Sequence, residues 1–384
     1  MPDKHAKLGP SSAARWINCP GSVKLSEGFK PTSSSYADEG TEAHALGEIK
    51  LRFLNGEISE EEFRKQHHNA TLKAYYSGEM EEATDYYRDQ VFEAMASKGC
   101  GVGDLAVEQR LPLEDYIPDS FGTGDAVILG DDFIHIIDLK YGKGVKVDAE
   151  NNPQLMLYGL GAASLFEDII GDIKTVYMTI VQPRLDHVSS WSILYDDLKV
   201  WADNTVKPAA EKAMNGTDET ACGDWCKFCP ARATCRTRAE VNLDLARMEF
   251  KKGELLTKEE IGEVLSKAED LKAWAADIEA YALEQALQGE QYDGWKVVEG
   301  RSNRKYSDEI KVAEALKAAG FKEAMLYEKK LYGITAMEKV VGKKKLAEIC
   351  ADLIVKPEGK PTLVPESDKR EAINSAESAK ADFK

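Results

Sequence analysis

Two short apolar segments, GTGDAVILG and FIHIIDLKYG, constrain this chain more than any other feature. Their alternating and β-branched residues predict two antiparallel strands joined by a tight turn at Asp131–Asp132, which places Asp125 opposite Asp138. Cross-strand neighbours are roughly 4.5 to 5.5 Å apart, a separation at which two carboxylates repel each other. Lys140 emerges on the face of Asp138, because strand side chains alternate. Since buried carboxylates need a counter-charge, we expect this hairpin to bind a divalent cation.

The composition limits the kinds of protein that this chain can be. It has 384 residues, of which 43% are hydrophobic and 30% charged, as in an ordinary globular protein with a substantial core. No run approaches the ~18 to 20 apolar residues of a membrane span, and the start, MPDKHAKLGPSS, lacks a secretion signal. We therefore expect a cytoplasmic protein without a membrane partner. The net charge of −17 requires that any contact with DNA use a local basic track.

Strands and helices are predicted in an order typical of an α/β fold. Helical spacing covers YADEGTEAHALGEIKLRFL, residues 72–97 and NNPQLMLYGLGAASLFEDI, and strands are predicted at DLAVEQRLPL, TVYMTIVQP and VSSWSILY. A long amphipathic helix follows, opened by a capping box from Thr257 to Glu260. The expected organisation is a core domain at 9–240, the long helix at 241–289, a small α+β appendage at 290–371 and a polar tail at 372–384.

The hairpin residues suit a particular chemistry. A hard cation held by two acids lowers the pKa of a bound water, and a neighbouring ammonium orients the nucleophile or stabilises the transition state, as phosphodiester hydrolysis requires. The backbone carbonyl of Leu139 offers a further oxygen ligand. The alternative interpretation is a solvent-facing pair of Asp138 and Lys140 beside an unrelated acidic turn, because D-x-K triplets are common by chance.

An ordered series of motifs resembles the RecB-like branch of the PD-(D/E)XK nuclease superfamily. GTEAH resembles the helix of the histidine metal ligand, GTGDAV the first acidic strand, IIDLK the second acid with its lysine, and QLMLY the Q-x-x-x-Y helix beside the active site. Glu108 in AVEQRL resembles, more weakly, an acid on the preceding strand. The resemblance implies a restriction-endonuclease-like core with a mixed central sheet flanked by helices. It implies Mg²⁺ or Mn²⁺ bound by His44, Asp125 and Asp138, catalysis with Lys140, and DNA contacts of Gln154 and Tyr158.

Four cysteines lie within one short segment, CGDWCKFCPARATC. Such spacing is typical of a metal centre in a chain without an export signal. Two interpretations compete: a local zinc knuckle of Cys222, Cys226, Cys229 and Cys235, or an iron–sulfur cluster in which Cys19 of WINCPGS replaces Cys222. The resemblance favours a 4Fe–4S cluster, because several RecB-like nucleases, including AddB-type ones, pair an N-terminal Cys-Pro with a late C-x2-C-x5-C. Such a cluster would close a loop of about 200 residues.

The C-terminal part adds a basic segment, GWKVVEGRSNRKY, whose Arg301, Arg304 and Lys305 are candidate phosphate contacts. The whole chain resembles a phage and prophage family of RecB-like proteins long labelled uncharacterised. The resemblance implies a metal-dependent exonuclease that processes DNA ends in phage recombination or replication, with a single-strand annealing protein as partner. Two alternatives remain: a non-catalytic DNA-binding or scaffold protein with the same fold, and a zinc-knuckle nucleic-acid adaptor.

Overall fold

The computed structural model divides the chain into two compact units, Met1–Ala282 and Leu283–Lys384. Arg301, Arg304 and Lys305 lie outside the described residues, so their predicted contact with DNA stays a prediction. The residues that the structure describes are 6–29, 35–246, 257–298, 309–318, 337 and 342–350.

A five-stranded mixed sheet forms the centre of the first unit, which confirms the predicted α/β class. The strands lie in sequence order along the sheet. Neighbouring strands are antiparallel except β3 and β4, whose parallel pairing requires a crossover, and a helix supplies it. The strands are β1 Leu105–Pro112, β2 Phe121–Leu129, β3 Phe133–Leu139, β4 Thr175–Gln182 and β5 His187–Leu194.

The hairpin of β2 and β3 has the predicted register. Ala126 pairs with Ile137, and the amide of Gly130 donates to the carbonyl of Phe133 at 2.9 Å. The loop is therefore the two-residue turn Asp131–Asp132, as predicted. The ladder ends at the Ala126–Ile137 pair, and Asp125 and Asp138 are the next residues on the two strands.

Helices cover both faces of the sheet and flank its ends. A long helix runs before the first strand on one face, the crossover helix lies on the other, and shorter helices pack around them. The helices of the first unit up to the cysteine segment are α1 Ala13–Asn18, α2 Gly21–Leu25, α3 Ser35–Leu54, α4 Glu60–Thr71, α5 Gly78–Ser97, α6 Pro153–Ile170, α7 Tyr195–Trp201 and α8 Lys207–Met214, with a π-helical turn at Ala202–Val206 and 3₁₀ turns at Pro10–Ser12, Pro183–Leu185 and Asp224–Phe228.

Strand β3 is buried on both faces, because its side chains alternate between two apolar clusters. Ile134 and Ile136 pack in the cluster that includes α6, whereas Ile137 and Leu139 pack in the cluster of α3 and α5. The sequence of a central strand that is covered on both faces is a continuous run of apolar residues. Asp138 interrupts that run with only 2% of its surface exposed, so its charge must be compensated locally.

After the cysteine segment, the regular elements of the described residues are helices. Thr257 and Glu260 form the predicted capping box: the Thr257 amide donates to Glu260 Oε2 at 2.8 Å, and the Glu260 amide donates to Thr257 Oγ1 at 3.2 Å. Residues 294–298 form no strand, although GWKVVEG predicted one. No described helix is long and apolar enough to cross a membrane. The remaining helices are α9 Arg236–Ala246, α10 Lys258–Leu287, α11 Glu309–Ala318 and α12 Lys343–Ile349.

Candidate metal centre

Three acidic residues lie in one row across the first three strands of the sheet. Glu108 of β1 lies opposite Asp125 of β2, between the pairs Val107–Ala126 and Gln109–Gly124. Asp138 of β3 follows on the other side of Asp125. Asp125 Oδ2 accepts a hydrogen bond from the amide of Leu139 at 2.8 Å, so a side chain replaces the strand pairing where β2 and β3 part.

His44 of α3 joins this row from above the sheet. Its Nδ1 atom lies 3.3 Å from Asp125 Oδ1. One ligand atom each from His44, Glu108 and Asp125 lies within 4.8 Å of the others, which makes the trio a group that can hold a metal ion. The helix is fixed here by Ala43 and Leu46, which flank His44 and are fully buried.

The charges of this trio depend on one another. Burial disfavours protonation of His44, but the carboxylate of Asp125 outweighs it and raises the pKa of the imidazole to about 9. Burial raises the pKa of Glu108 to about 7, and Asp125 adds to the rise. For Asp125, burial is outweighed by His44, which keeps the pKa of this carboxyl below its ordinary value. The protonated imidazole of His44 therefore carries a positive charge beside the acids.

Asp138 binds neighbours other than the trio. Its two oxygens lie 3.1 and 2.9 Å from the ammonium of Lys140, and Oδ1 also accepts from Gln154 Nε2 at 3.3 Å. Burial raises the pKa of Asp138 above its ordinary value, although Lys140 opposes the rise. For Lys140, burial alone would lower the pKa of the ammonium. The charge and hydrogen bond of Asp138 outweigh burial, so the pKa of Lys140 lies above its ordinary value. Lys140 is therefore a cation held beside the trio of His44, Glu108 and Asp125.

A chain of hydrogen bonds links Lys140 to α6. The ammonium donates to Gln154 Oε1 at 2.9 Å, and Gln154 Nε2 donates to the hydroxyl of Tyr158 at 2.9 Å. Tyr158 is 7% exposed, so its ring packs in the core and orients Gln154. A Cβ atom at Gly122 would lie 2.6 Å from this ring, which explains why β2 carries a glycine there. The α6 helix begins beside this site because Asn152 caps it.

Sequence reasoning missed the residues that hold the segment between Lys140 and α6. Gln182, 1% exposed at the end of β4, accepts from the amide of Val147 at 2.8 Å and donates to the carbonyl of Val145 at 2.9 Å. Ser189 of β5 accepts from the amide of Ala149 at 2.9 Å. The signal that the sequence offered was a glutamine, Gln182, at the end of a largely apolar predicted strand.

The cysteine segment and Cys19 occupy one region. Cys19, Cys226 and Cys229 are buried, and the Cys19 sulfur accepts from the amide of Ala221 at 3.3 Å. Burial raises the pKa of the Cys229 thiol, and the neighbouring Cys226 and Cys19 sulfurs add to the rise. Burial likewise raises the pKa of Cys222 to about 11, and the charge and hydrogen bond of Cys226 add to the rise. Among the described residues, no three thiols have sulfurs within 4.8 Å of one another.

Comparison with solved structures finds distant similarity. SSO0001 has 11% sequence identity and a TM-score of 0.22, and the match covers 57% of this chain and 95% of that chain. LHK-Exo, in a structure with dAMP, has 13% identity and a TM-score of 0.24, and the match covers 45% of this chain and 91% of that chain.

One protein family spans nearly the whole sequence. The family described as "Protein of unknown function (DUF2800)" matches residues 5–371, which include the acidic row, the cysteine segment and most of the C-terminal part. This chain belongs to the DUF2800 family.

Proposed function

We propose that this protein is a divalent-metal-dependent deoxyribonuclease that hydrolyses phosphodiester bonds at the acidic row. The observation that carries the proposal is the convergence of Glu108, Asp125 and Asp138 with His44 and Lys140. Such a set of oxygen and imidazole donors, with a fixed ammonium beside it, suits a hard cation and an anionic substrate. Burial raises the pKa of Glu108 to about 7 and Asp125 adds to the rise, and a cation bound between these carboxylates would favour their charged forms, which supports a metal ion as their ligand.

The proposed ligands of Mg²⁺ or Mn²⁺ are His44, Asp125 and Asp138, with the carbonyl of Leu139 and the carboxylate of Glu108 as further donors. Glu108 fits this role at least as well as Asp138, because it belongs to the trio within 4.8 Å. The imidazole makes Mn²⁺ more favourable than it would be at an all-oxygen site. When bound, the ion lowers the pKa of a water molecule and neutralises charge on phosphoryl oxygens.

The protein's own groups position the reacting atoms. Lys140 carries its charge on the side of Asp138 and stabilises the negative charge that develops at the phosphorus. Gln154 fixes the ammonium through its 2.9 Å hydrogen bond, and Tyr158 fixes Gln154 from the core. Since Tyr158 is buried, we assign it to orienting Gln154, and contact with the DNA strand falls to Gln154.

The finer assignment follows the resemblance of the motifs to RecB-like nucleases. We propose an exonuclease that processes DNA ends in phage recombination or replication, in the cytoplasm of the host, with a single-strand annealing protein as partner. A cleavage assay on linear DNA labelled separately at its 5′ and 3′ ends distinguishes the action of an exonuclease from that of an endonuclease and gives its polarity.

We further propose that Cys19, Cys226, Cys229 and Cys235 hold a structural 4Fe–4S cluster. Tetrahedral zinc with Zn–S bonds of about 2.3 Å brings its thiolates within about 4 Å of one another. In a cluster each thiolate binds a different iron, so the sulfurs stand farther apart. The Cys229 thiol has Cys226 and Cys19 as charged neighbours, which supports a centre that includes Cys19, whereas the contact between Cys222 and Cys226 supports the zinc knuckle.

The test of the nuclease uses a matched pair of acid–lysine sites. Purified protein is incubated with linear DNA in Mn²⁺ or chelator, and Asp138→Asn and Lys140→Ala are compared with Asp196→Asn and Lys199→Ala, an exposed pair at 2.8 Å on α7. We expect metal-dependent cleavage that falls by about a hundredfold to a thousandfold in the first two variants and is unchanged in the controls. Absence of cleavage with retained DNA binding would instead establish the non-catalytic DNA-binding protein.

The test of the cluster is elemental. Protein purified without oxygen should contain iron and absorb visible light, and Cys19→Ser should lose both, whereas Cys100→Ser, outside the segment, should keep them. Colourless protein that contains zinc and loses it in Cys222→Ser would establish the zinc knuckle.

A further inference from the structure

The segment from Tyr141 to Val147 lies directly beside the proposed active site and is held in an unusual way. It begins one residue after Lys140 and ends before α6, which carries Gln154. None of these seven residues belongs to a helix or strand, so no regular backbone hydrogen bonding fixes the shape of this segment. We call residues 141–147 the lysine loop, because Lys143 and Lys146 are its charged residues and both are exposed.

Both ends of the lysine loop are anchored by buried side chains. Tyr141, 3% exposed, packs with Ala43 and Leu46, the two residues of α3 that flank His44. At the other end, Gln182 uses both its oxygen and its nitrogen to bind the backbone of Val145 and Val147. Both polar atoms of this buried glutamine are hydrogen-bonded to the loop backbone, and these bonds hold the loop in place. The exposed lysines are thus displayed from a rigid support.

Lys143 of the lysine loop forms an ion pair whose carboxylate a phosphate could replace. Lys143 Nζ lies 2.7 Å from Glu79 Oε1, and Glu79 also contacts Arg184 at 3.2 Å. Arg184 lies over the ring of Tyr141 at 4.4 Å and contacts Glu39 of α3 at 3.1 Å. The pair of Lys143 and Glu79 is half exposed, and exposed ion pairs contribute little stability, so a phosphate can displace the carboxylate at small cost.

We propose that the lysine loop binds the backbone phosphates of a single DNA strand next to the scissile bond, with Lys143 and Lys146 as the contacting groups. This inference rests on the proposed function and deepens it, since it names where the substrate strand lies. The loop contains two lysines and no acid in a chain with a net charge of −17, and a phosphate that displaces Glu79 from Lys143 would meet both ammonium groups. Phosphate contacts position a strand without reading its sequence, and flexible lysines suit that task.

The rigid support explains why a buried glutamine serves an exposed loop. A mobile loop would lose conformational freedom on binding, and this loss would weaken the complex. A loop already fixed by Gln182 binds without that loss. The two features therefore predict separate effects: the lysines set the number of phosphate contacts, and Gln182 sets the affinity at a given number of contacts.

The experiment measures binding of a fluorescein-labelled 20-nucleotide single strand against salt concentration, with Mn²⁺ present and Asp138→Asn as the background so that the strand is not cut. For single strands, each lost phosphate contact lowers the slope of log K against log salt by about 0.7. We expect Lys143→Ala with Lys146→Ala to bind more weakly and to reduce the slope by about 1.4. The matched control, Lys199→Ala with Lys207→Ala, removes two lysines of similar exposure and should keep the slope of the parent.

The glutamine is tested separately. Gln182→Ala and Gln182→Glu should bind several-fold more weakly with the slope of the parent, because the lysines remain. Gln182→Glu keeps the acceptor for Val147 and loses the donor to Val145, so it gives a result even if the alanine variant does not fold. An unchanged slope in the double lysine variant overturns the inference while leaving the nuclease intact, as does unchanged affinity in a folded Gln182 variant. A wild-type protein that neither binds nor cuts DNA refutes the proposed function itself.

Discussion

Glu108 lies opposite Asp125 across β1 and β2 and adopts a left-handed backbone conformation with a φ angle of 48°. The pairing of β1 with β2 continues on both sides of Glu108, so the departure from strand geometry is confined to this residue. A left-handed conformation costs an L-residue about 1 kcal/mol or more, and the carboxyl is also placed in a site that raises its pKa to about 7. Two unfavourable features at one residue favour a functional role for its carboxylate.

The backbone strain at Glu108 predicts an inverted preference for glycine. In chelator, Glu108→Gly should be more stable than Glu108→Ala by about 1 kcal/mol, because glycine accepts a positive φ without a clash. At the neighbouring Gln109 the order should be reversed, with alanine more stable than glycine by about 0.5 to 1 kcal/mol. Urea denaturation of the four variants measures both differences. Glycine less stable than alanine at position 108 would contradict the assigned strain.

Metal binding should stabilise the folded protein. Mn²⁺ at about 100 times its dissociation constant adds about 2.7 kcal/mol to the free energy of unfolding, because only the folded chain assembles the site. We expect His44→Gln and Asp125→Asn to lose most of this gain. The controls His68→Gln, exposed on α4, and Asp131→Asn, in the hairpin turn, should retain it. Thermal melts with and without Mn²⁺ measure the gain, and equal gains in all four variants would exclude the trio as the site.

The hairpin could be predicted because its geometry is local. The turn at Asp131–Asp132 sets the register of the pairs up to Ala126–Ile137, and Asp125 and Asp138 are the next residues on the two strands. The mixed α/β class followed from the order of strands and helices for the same reason. The predicted strand from Gly294 does not form in residues 294–298, where a short apolar run had been the sole signal.

The remaining contacts could not be predicted, because they join distant parts of the chain. Gln182 lies 35 residues beyond its partner Val147, and Ser189 lies 40 residues beyond Ala149. The left-handed conformation of Glu108 has no sequence signal, since glycine or asparagine would be the usual residue there. The pairing of Asp138 with Lys140 was local and predictable, whereas its link to Gln154 required the fold.

Acid should destabilise the protein through His135. This imidazole is 6% exposed and donates to or accepts from Thr179 Oγ1 at 2.9 Å, and burial, assisted by Lys98, lowers its pKa to about 3. Between pH 6.5 and 3 the unfolded chain binds a proton at this residue that the folded chain does not, so stability falls as the pH falls through that range. From pH 6.5 to 4 this residue contributes a loss of about 3 kcal/mol. This loss should be absent in His135→Gln. Urea denaturation at each pH measures the free energy of unfolding of the wild-type protein and the variant. Parallel dependences on pH would contradict the prediction.

Loss of Lys50 should lower the free energy of unfolding much more than loss of Lys65. Its side chain is 3% exposed, and its ammonium lies 2.8 Å from Thr84 Oγ1, 2.8 Å from Glu81 Oε1 and 2.9 Å from Asp85 Oδ1, so it joins α3 to α5. Breaking a buried, hydrogen-bonded charge network costs about 3 kcal/mol, so we expect Lys50→Ala to lower the free energy of unfolding by about that amount. Lys65→Ala, exposed on α4, should change it by less than about 0.5 kcal/mol. Since α3 also carries His44, Lys50→Ala should weaken Mn²⁺ binding as well, and equal stabilities of the two variants would show that this network does not hold the helix.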